Sequence, residues 1–236
     1  MGKTTGEEMK NLLIPLDVFE RHKVIARFIK SGETILDVGG GVDTLNLFIK
    51  NKVVVSNLAS GDVLADGRKL PFENSKFDVV TSIDVLEHIG QKDRQLFINE
   101  LLRVSKKKVI FSTPYGSEGH VKSEAKLLKM FEENRKESFF LKEHVQKGLP
   151  QLKEVKDYLK DFRFQVFFAG DYRLNFFLTK LDLKSLKEPK LDKLFYWFKR
   201  FLNIVLNIFY FPFSVSGKEK KYTNRVYLLV EKIIKK

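Results

Sequence analysis

The chain has 236 residues, of which 43% are hydrophobic and 31% charged, and it contains no cysteine. This length suits one domain with a substantial core, and the lack of cysteine excludes disulfides, thiolate metal sites and cysteine nucleophiles. The net charge of +13 is uneven, because residues 180–236 carry 14 basic and 5 acidic side chains, a net of +9. That concentration indicates an anionic partner, such as a membrane surface, a phosphorylated substrate or nucleic acid, or else a solvated lysine-rich face.

The N-terminal part predicts a helix, then a buried strand. The first ten residues are polar and lack the apolar segment of a secretory signal, which favours a cytoplasmic protein. An amphipathic helix is predicted over residues 15–30 and a short apolar strand over residues 34–38. Three glycines follow, and Asp43 is expected to cap a further helix over residues 44–51.

Strands and helices alternate through the next segments. Strands are predicted at residues 52–57, 62–65, 77–82 and 107–112. A helix at residues 94–104 precedes the last of them, and this alternation predicts a parallel sheet with helices on both faces. Beyond Pro114 the predicted elements are helices at 122–136 and 152–159 and strands at 164–168 and 224–231.

A carboxylate and a flexible turn end the first predicted strand. The segment ILDVGGG places Asp37 near the carboxyl end of that strand, where open α/β sheets bind their ligands. Gly39, Gly40 and Gly41 allow the backbone to approach a ligand closely. The N-terminus of a following helix would offer N–H groups to a carboxylate, so the turn suits a ligand with a ribose and an amino-acid end.

The competing interpretation is the dinucleotide fingerprint GxGxxG. Gly39 and Gly41 match it, but its third glycine would fall at Thr44. An acid two positions before the first glycine, here Asp37, is also unusual for that fingerprint. A nucleotide-cofactor oxidoreductase is therefore the disfavoured alternative.

Four segments resemble the class I S-adenosylmethionine-dependent methyltransferases, in particular the small-molecule enzymes with LPF and LEH signatures. They are ILDVGGG at 35–41, ADGRKLPF at 65–72, FDVVTSIDVLEHI at 77–89 and KVIFSTP at 108–114. The resemblance implies a Rossmann-like three-layer α/β sandwich, with a mostly parallel seven-stranded sheet and an antiparallel last strand. It also implies one domain over residues 1–236, with a basic, aromatic-rich helical insertion at 180–221 before that strand.

The resemblance further implies which residues contact S-adenosylmethionine. Asp37 and the three glycines would surround its methionyl and ribose parts. Asp66 would accept a hydrogen bond from the adenine amino group, and Gly67 would supply a backbone contact. Ser82 and Ile83, at the end of the fourth strand, would line the cofactor near the transferable methyl group.

Two positions depart from the family pattern. Asp43 stands where the family usually has a third loop glycine. Asn57 stands where an acid usually grips both ribose hydroxyls, and it would bind the ribose without the charge assistance that roughly doubles the strength of a hydrogen bond. A non-catalytic relative that still binds S-adenosylmethionine is therefore a second alternative.

Methyl transfer from a sulfonium is an in-line displacement, so the protein mainly aligns donor and acceptor and excludes water. A base is needed only where the acceptor loses a proton. His88 follows the fourth strand and is the candidate catalytic base, unless the LEH segment is purely structural. Glu143 and His144 are predicted to lie in a surface loop, and no metal site is predicted.

Residues 194–213 form an aromatic-rich segment. As a helix it would carry Lys199, Asn203 and Asn207 as one polar stripe on an apolar cylinder. Its charges argue against a transmembrane span, which leaves a lid, a dimer contact or a helix in a membrane interface. The aromatic rings and the basic charge favour the helix in an anionic membrane interface among these three, and the acceptor is predicted to be a small or lipid-linked molecule. No RNA-binding module is recognisable, so nucleic acid is not expected as a partner.

Overall fold

A computed structural model describes residues 11–41, 44–183 and 188–232, except the side chain of Asp182. Within these residues the strands are β1 (Ile35–Val38), β2 (Val53–Asn57), β3 (Val63–Leu64), β4 (Phe77–Ile83), β5 (Ser105–Pro114), β6 (Arg163–Asp171) and β7 (Thr223–Glu231). They form one sheet in the order β3-β2-β1-β4-β5-β7-β6. Strands β1 to β5 pair in parallel, whereas β7 runs antiparallel to both neighbours. The predicted sheet with an antiparallel last strand is confirmed.

Helices cover both faces of this sheet. They are α1 (Leu16–Ala26), α2 (Arg94–Val104), α3 (Glu118–Glu133), α4 (Phe139–Lys147), α5 (Leu152–Tyr158), α6 (Tyr172–Leu183), α7 (Pro189–Val205) and α8 (Phe211–Ser214). Single 3₁₀ turns occur at Leu45–Leu47, Leu86–His88 and Gln91–Asp93, and a π-helical turn occurs at Leu206–Tyr210.

The core has two layers because successive strand residues point to opposite faces of the sheet. On β4, Val80 packs in the cluster that contains Phe97 of α2, whereas Val79 packs in the cluster that contains Phe19 of α1. All four side chains of β1 are buried, as expected for a central parallel strand. The three-layer sandwich therefore follows from short apolar strands covered on both sides.

The helix predicted over residues 44–51 is wrong. The described part of this segment forms only the 3₁₀ turn Leu45–Leu47, and the proposed cap, Asp43, lies outside the described residues. Asn51 donates hydrogen bonds to the carbonyls of Lys30 and Glu33, both at 2.9 Å. These bonds direct the chain into β2 before a second helical turn can form.

The surface loop predicted around Glu143 and His144 is also wrong, because these residues lie on α4. Ser138 caps the helix by accepting a hydrogen bond from the backbone N–H of Leu141, and Gly148 ends it with φ of +72°. Both signals were present in the sequence, since serine favours N-caps and glycine favours left-handed helix ends. α4 turns its inner side chains toward the end of β4.

Between β6 and β7 the chain forms α6, α7, the π-helical turn and α8. The turn and α8 rejoin the body, since Asn207 and Phe211 are both buried. Among the described residues, no helix combines the length and the hydropathy required to cross a membrane.

Candidate active site

The carboxylate of Asp37 lies buried at the carboxyl end of β1. The parallel register places it beside Thr81 of β4, whose hydroxyl donates a hydrogen bond of 2.8 Å to Asp37 Oδ1. Burial raises the pKa of Asp37 to about 6, although the hydrogen bond from Thr81 opposes this shift. A Cβ at Gly40 would overlap Asp37 Oδ2, so the turn can lie on this carboxylate only because it is glycine.

The glycine turn is held by its neighbours on β2 and after β4. Gly39 has φ of +80°, and a Cβ there would overlap Val85. Asn57 Nδ2 donates to the carbonyls of Gly39 and Gly40, at 3.2 and 3.0 Å. In this structure Asn57 therefore braces the turn, and its contact with a ribose stays a prediction.

Asp66 and Gly67 follow β3 and lie at the same edge of the sheet as the glycine turn. A Cβ at Gly67 would stand 3.0 Å from Val38 Cγ1, so this loop packs directly on the end of β1. Arg68 contacts Asp66 through its side-chain and backbone N–H groups, and these hydrogen bonds lower the pKa of the carboxyl. Arg68 also pairs with Asp93 at 2.6 Å. Asp66 is thus ionised and positioned at the edge where an adenine amino group could reach it.

A cavity of about 620 Å³, named here the acceptor cavity, opens beside the glycine turn. The predicted site residues on its wall are Gly39, Gly40, Gly41, Ile83 and His88. The others do not line it: Asp37, Asn57, Asp66, Gly67 and Ser82. Ser82 is buried within β4, one residue before the strand end that reaches the cavity.

All four histidines of the chain line the acceptor cavity. The Nδ1 atoms lie within 2.8–3.1 Å of the Val18 carbonyl for His22, Glu143 for His88, the Tyr115 carbonyl for His120 and Glu124 for His144. Nδ1–H therefore donates in each ring, which leaves Nε2 as the second functional nitrogen. The sequence indicated only His88 as well placed, whereas the fold brings all four imidazoles to one space.

Glu87 is a carboxyl group that the sequence analysis did not single out. It is 1% exposed, accepts a hydrogen bond of 3.1 Å from the Thr113 hydroxyl, and lies 3.9 Å from His144 Nε2. Burial raises its pKa to about 8, and the neighbouring charge of Asp84 adds to the shift. Glu87 is consequently protonated near pH 7 and can donate as well as accept. Its signal was its position beside His88 in the LEH segment.

A buried ion cluster closes the cavity where β4 ends. Asp84 has φ of +54° and receives hydrogen bonds from Arg225 at 2.5 Å, Ser112 at 2.8 Å and Arg21 at 3.0 Å. Burial opposes ionisation of Asp84, but the charges of Arg225 and Arg21 outweigh it and hold the pKa of Asp84 well below its ordinary value. The arginine side chains hold Asp84, which directly follows Ile83, so this corner of the cavity is rigid.

The glycine turn and Asp66 fit the methionyl and adenine ends of S-adenosylmethionine, respectively, as the sequence predicts. Gly39, Gly40 and Gly41 present backbone without side chains on the cavity wall at the end of β1, where a ligand can approach closely. The turn borders a cavity, and the ionised Asp66 lies at the same sheet edge. Ligands of open α/β sheets bind at this edge.

Residues 36–113 match a family model described as a methyltransferase domain. Within residues 36–113 the chain carries a methyltransferase domain. The match spans the strands that supply the glycine turn, Asp66 and Glu87, and the predicted family resemblance is confirmed at this level. No curated protein sequence matches the chain.

Solved structures, two of them described as methyltransferases, share the fold of this domain. An S-adenosylmethionine-dependent methyltransferase from Thermotoga maritima, described as a possible histamine N-methyltransferase, is 14% identical with a TM-score of 0.55, over 96% of this chain and 94% of that one. Phosphoethanolamine N-methyltransferase 2 from Haemonchus contortus, solved with phosphomonomethylethanolamine and S-adenosylhomocysteine, is 18% identical with a TM-score of 0.51, over 89% and 51%. The YcgJ protein from Bacillus subtilis is 12% identical with a TM-score of 0.52, over 90% and 97%. Identities this low establish a shared fold.

Proposed function

We propose that this methyltransferase acts on a small amphiphilic molecule whose reactive end enters the acceptor cavity. The observation that carries the proposal is the continuity of that cavity, which runs from Gly39, Gly40 and Gly41 to the four histidines. A methyl donor on the turn and an acceptor among the imidazoles would share one enclosed space. Such enclosure aligns the two reactants and excludes water.

We further propose the cofactor contacts that the sequence predicts. Gly39, Gly40 and Gly41 hold the methionyl end above the buried carboxyl of Asp37. Asp66 and Gly67 hold the adenine, and Asn57 contacts the ribose while bracing the turn. Ser82 and Ile83 border the methyl group. S-adenosylmethionine, when bound there, supplies a methyl group already activated by its sulfonium.

The histidine side of the cavity is proposed to handle the acceptor's proton. Burial lowers the pKa of His88, and the charge of His144 lowers it further, so His88 is neutral near pH 7. Its Nδ1 donates to Glu143, which orients Nε2 as an acceptor. His88 is therefore the candidate general base for an acceptor that loses a proton on methylation.

A second, narrower space has a mixed lining, in which Leu16, Leu178, Leu181 and Leu202 offer an apolar strip to a tail beside the polar side chains. This tail groove, of about 200 Å³, shares Pro15, Asp17, Asn175 and Thr179 with the acceptor cavity. Its far side is formed by α7, through Tyr196, Lys199, Arg200, Leu202 and Asn203. The shared residues connect the two spaces, so a molecule with a polar head in the cavity can extend its tail toward α7.

The outer side of α7 supports access from an anionic membrane surface. Five large apolar side chains on α7, named here the apolar face, are 52–68% exposed: Leu191, Leu194, Trp197, Phe198 and Phe201. Exposed lysines lie at the start of α7 and after α8, namely Lys190, Lys193, Lys218, Lys220 and Lys221. An exposed apolar stripe with basic flanks is typical of a helix that lies in a membrane interface.

Transfer of labelled methyl from S-adenosylmethionine to a panel of amines and phenols, each with and without an acyl chain, tests the activity. We expect acceptors with a chain to have the lower KM, because the tail groove adds binding. His88→Ala should reduce kcat by 100-fold or more for acceptors that lose a proton, an effect of about the size of general base catalysis. Near-normal turnover by this variant would dismiss the base role.

Flotation with phosphatidylglycerol-containing vesicles tests the membrane contact separately. The double variant Trp197→Ser/Phe201→Ser should lose flotation, whereas Leu96→Ser, which changes a 50% exposed leucine of α2, should retain it. Absence of wild-type binding to these vesicles would end the membrane proposal and leave the methyltransferase assignment intact.

A further inference from the structure

Glu87, His88 and His144 bring three potential metal ligands together at the wall of the acceptor cavity. One ligand atom from each residue lies within 4.8 Å of the other two. Glu87 and His88 come from the 3₁₀ turn after β4, and His144 comes from α4, which packs on that turn. The cluster is therefore built by tertiary contact and is invisible as a sequence motif.

Each imidazole of this cluster is oriented by a carboxylate behind it. His88 Nδ1 lies 2.8 Å from Glu143 Oε2, and His144 Nδ1 lies 3.1 Å from Glu124. Metal-bound histidines in proteins are held in this way, since the carboxylate fixes the tautomer and raises the basicity of Nε2. Lys147 in turn pairs with Glu143, so this carboxylate is itself held in position.

The inner atoms of the cluster lack protein partners of their own. His144 Nε2 is buried and has no hydrogen-bond partner within the described ranges, and it faces Glu87 Oε1 at 3.9 Å. An unsatisfied buried ring nitrogen is costly, because it loses its bond to water without replacement. Glu87 accepts a hydrogen bond from the Thr113 hydroxyl at Oε2, which leaves Oε1 to face His144 Nε2. A cation between the two groups would satisfy both.

We propose that Glu87, His88 and His144 bind one divalent first-row transition-metal ion, with Zn²⁺ as the reference ligand. Two imidazoles and one carboxylate form the usual protein half of an open metal site, whose remaining position takes water or substrate. Tetrahedral bonds of about 2.1 Å set ligand atoms about 3.4 Å apart, so small side-chain rotations close the site. This position opens into the acceptor cavity.

The ion would change how the acceptor is prepared for methylation. This step rests on the proposed function. A metal-bound hydroxyl loses its proton to water at lower pH than a free one, so the ion would bind and activate an acceptor hydroxyl. The oxygen would then take the methyl group while the sulfonium leaves as a neutral thioether. In that case His88 would hold the ion instead of serving as the general base, and methyl transfer to hydroxyl acceptors should require the ion.

Titration of tag-free protein with Co²⁺ tests the site without activity. We expect one equivalent to produce the visible absorption of a tetrahedral, nitrogen-ligated cobalt ion, and Zn²⁺ to displace it. Glu87→Gln should weaken binding by about 100-fold or more, since loss even of an outer contact costs 10–100-fold. Glutamine keeps the size of the glutamate side chain and can still accept the hydrogen bond from the Thr113 hydroxyl, so we expect the variant to fold. His144→Asn provides a second test of the ligand set.

His22→Gln is the matched control, because His22 lines the same cavity but bonds to the Val18 carbonyl outside the cluster. It should bind Co²⁺ like the wild type. Absence of stoichiometric binding, or equal affinity in Glu87→Gln and His22→Gln, would overturn the proposal. Calorimetry with S-adenosylmethionine on the same samples separates the two failures. Cofactor binding without metal binding rejects only the ion, whereas metal binding without cofactor binding rejects the proposed function.

Discussion

The edge of the sheet and helix α7 bury polar side chains in different ways. At the sheet edge, buried carboxylates have partners on an adjacent strand, as Asp37 has Thr81 and Asp84 has Ser112. On α7 and the π-helical turn, the polar stripe also faces the body, but the apolar face is left to solvent. Asn207 is buried and donates to the carbonyls of Leu12 and Ile14, each at 3.0 Å.

The sheet edge therefore acts as a rigid framework, whereas helix α7 presents an exposed apolar surface. Strand pairing fixes the sheet edge on both sides, so its carboxylates are positioned without help from a ligand. Helix α7 turns its hydrogen-bonding side inward and its oily side outward, the reverse of an ordinary surface helix. An apolar surface that covered this exposed face would remove it from water and stabilise the helix. Substitutions in the two regions should therefore differ in their effects on stability and binding.

Loss of Arg225 should have the largest effect on stability. Arg225→Met leaves Asp84 buried with only Arg21 and leaves Glu20 without its partner at 3.8 Å. Removing one member of a buried ion cluster costs about 3–5 kcal/mol. Urea denaturation should show this loss, with Lys122→Met as the control, since that lysine forms an exposed pair with Glu118 and should not matter. Equal urea midpoints for the two variants would show that the ion cluster of Asp84 and Arg225 does not stabilise the sheet edge.

The pKa of Asp37 predicts a pH dependence of stability. Its folded pKa of about 6 lies above its ordinary value of 3.8, so the folded state holds a proton that the unfolded state releases. This contribution is fully present below about pH 4 and is lost as pH rises through 6, on the order of 3 kcal/mol. Asp37→Asn should make the fall in melting temperature between pH 4 and 7 shallower, while the raised pKa of Glu87 keeps part of the slope. An unchanged slope in that variant would place the titration elsewhere.

Gly39 and Gly32 form a matched pair for the glycine turn. Both have φ near +80°, but a Cβ meets Val85 at Gly39 and nothing within 4 Å at Gly32. Alanine should strain both backbones equally, and overpacking should cost Gly39→Ala about 2 kcal/mol more. Affinity for S-adenosylmethionine should fall at least tenfold in Gly39→Ala only. Equal effects would mean that backbone strain alone matters.

The two sides of the insertion should respond oppositely to substitution. Asn207→Ala leaves two partly buried carbonyls without this donor and should cost about 1–2 kcal/mol. Phe201→Ser changes a side chain that is 63% exposed and should alter the unfolding free energy by less than about 0.5 kcal/mol. Chemical denaturation measures both. A larger loss for Phe201→Ser would show that the apolar face is packed in solution.

The parallel sheet was predictable because short apolar strands and glycine turns are local signals. The meeting of Asp37, the glycine turn and Asp66 at one edge of the sheet was predictable from the same segments, because parallel strands end at one edge. The helix over 44–51 failed because Asn51 bonds to a distant loop, which no periodicity reveals. The pairing of His88 with Glu143 and of His144 with Glu124 depends on how α4 and α3 pack. Sequence periodicity also identified the polar stripe on α7, but not that it faces inward.

Calorimetric titration with S-adenosylmethionine and its demethylated product tests whether the glycine turn at the end of β1 binds this cofactor. We expect one site for each ligand on the wild-type protein, with lower affinity in Gly39→Ala and the same affinity in Phe201→Ser. Binding of neither compound, or binding of a nicotinamide cofactor in their place, would contradict it.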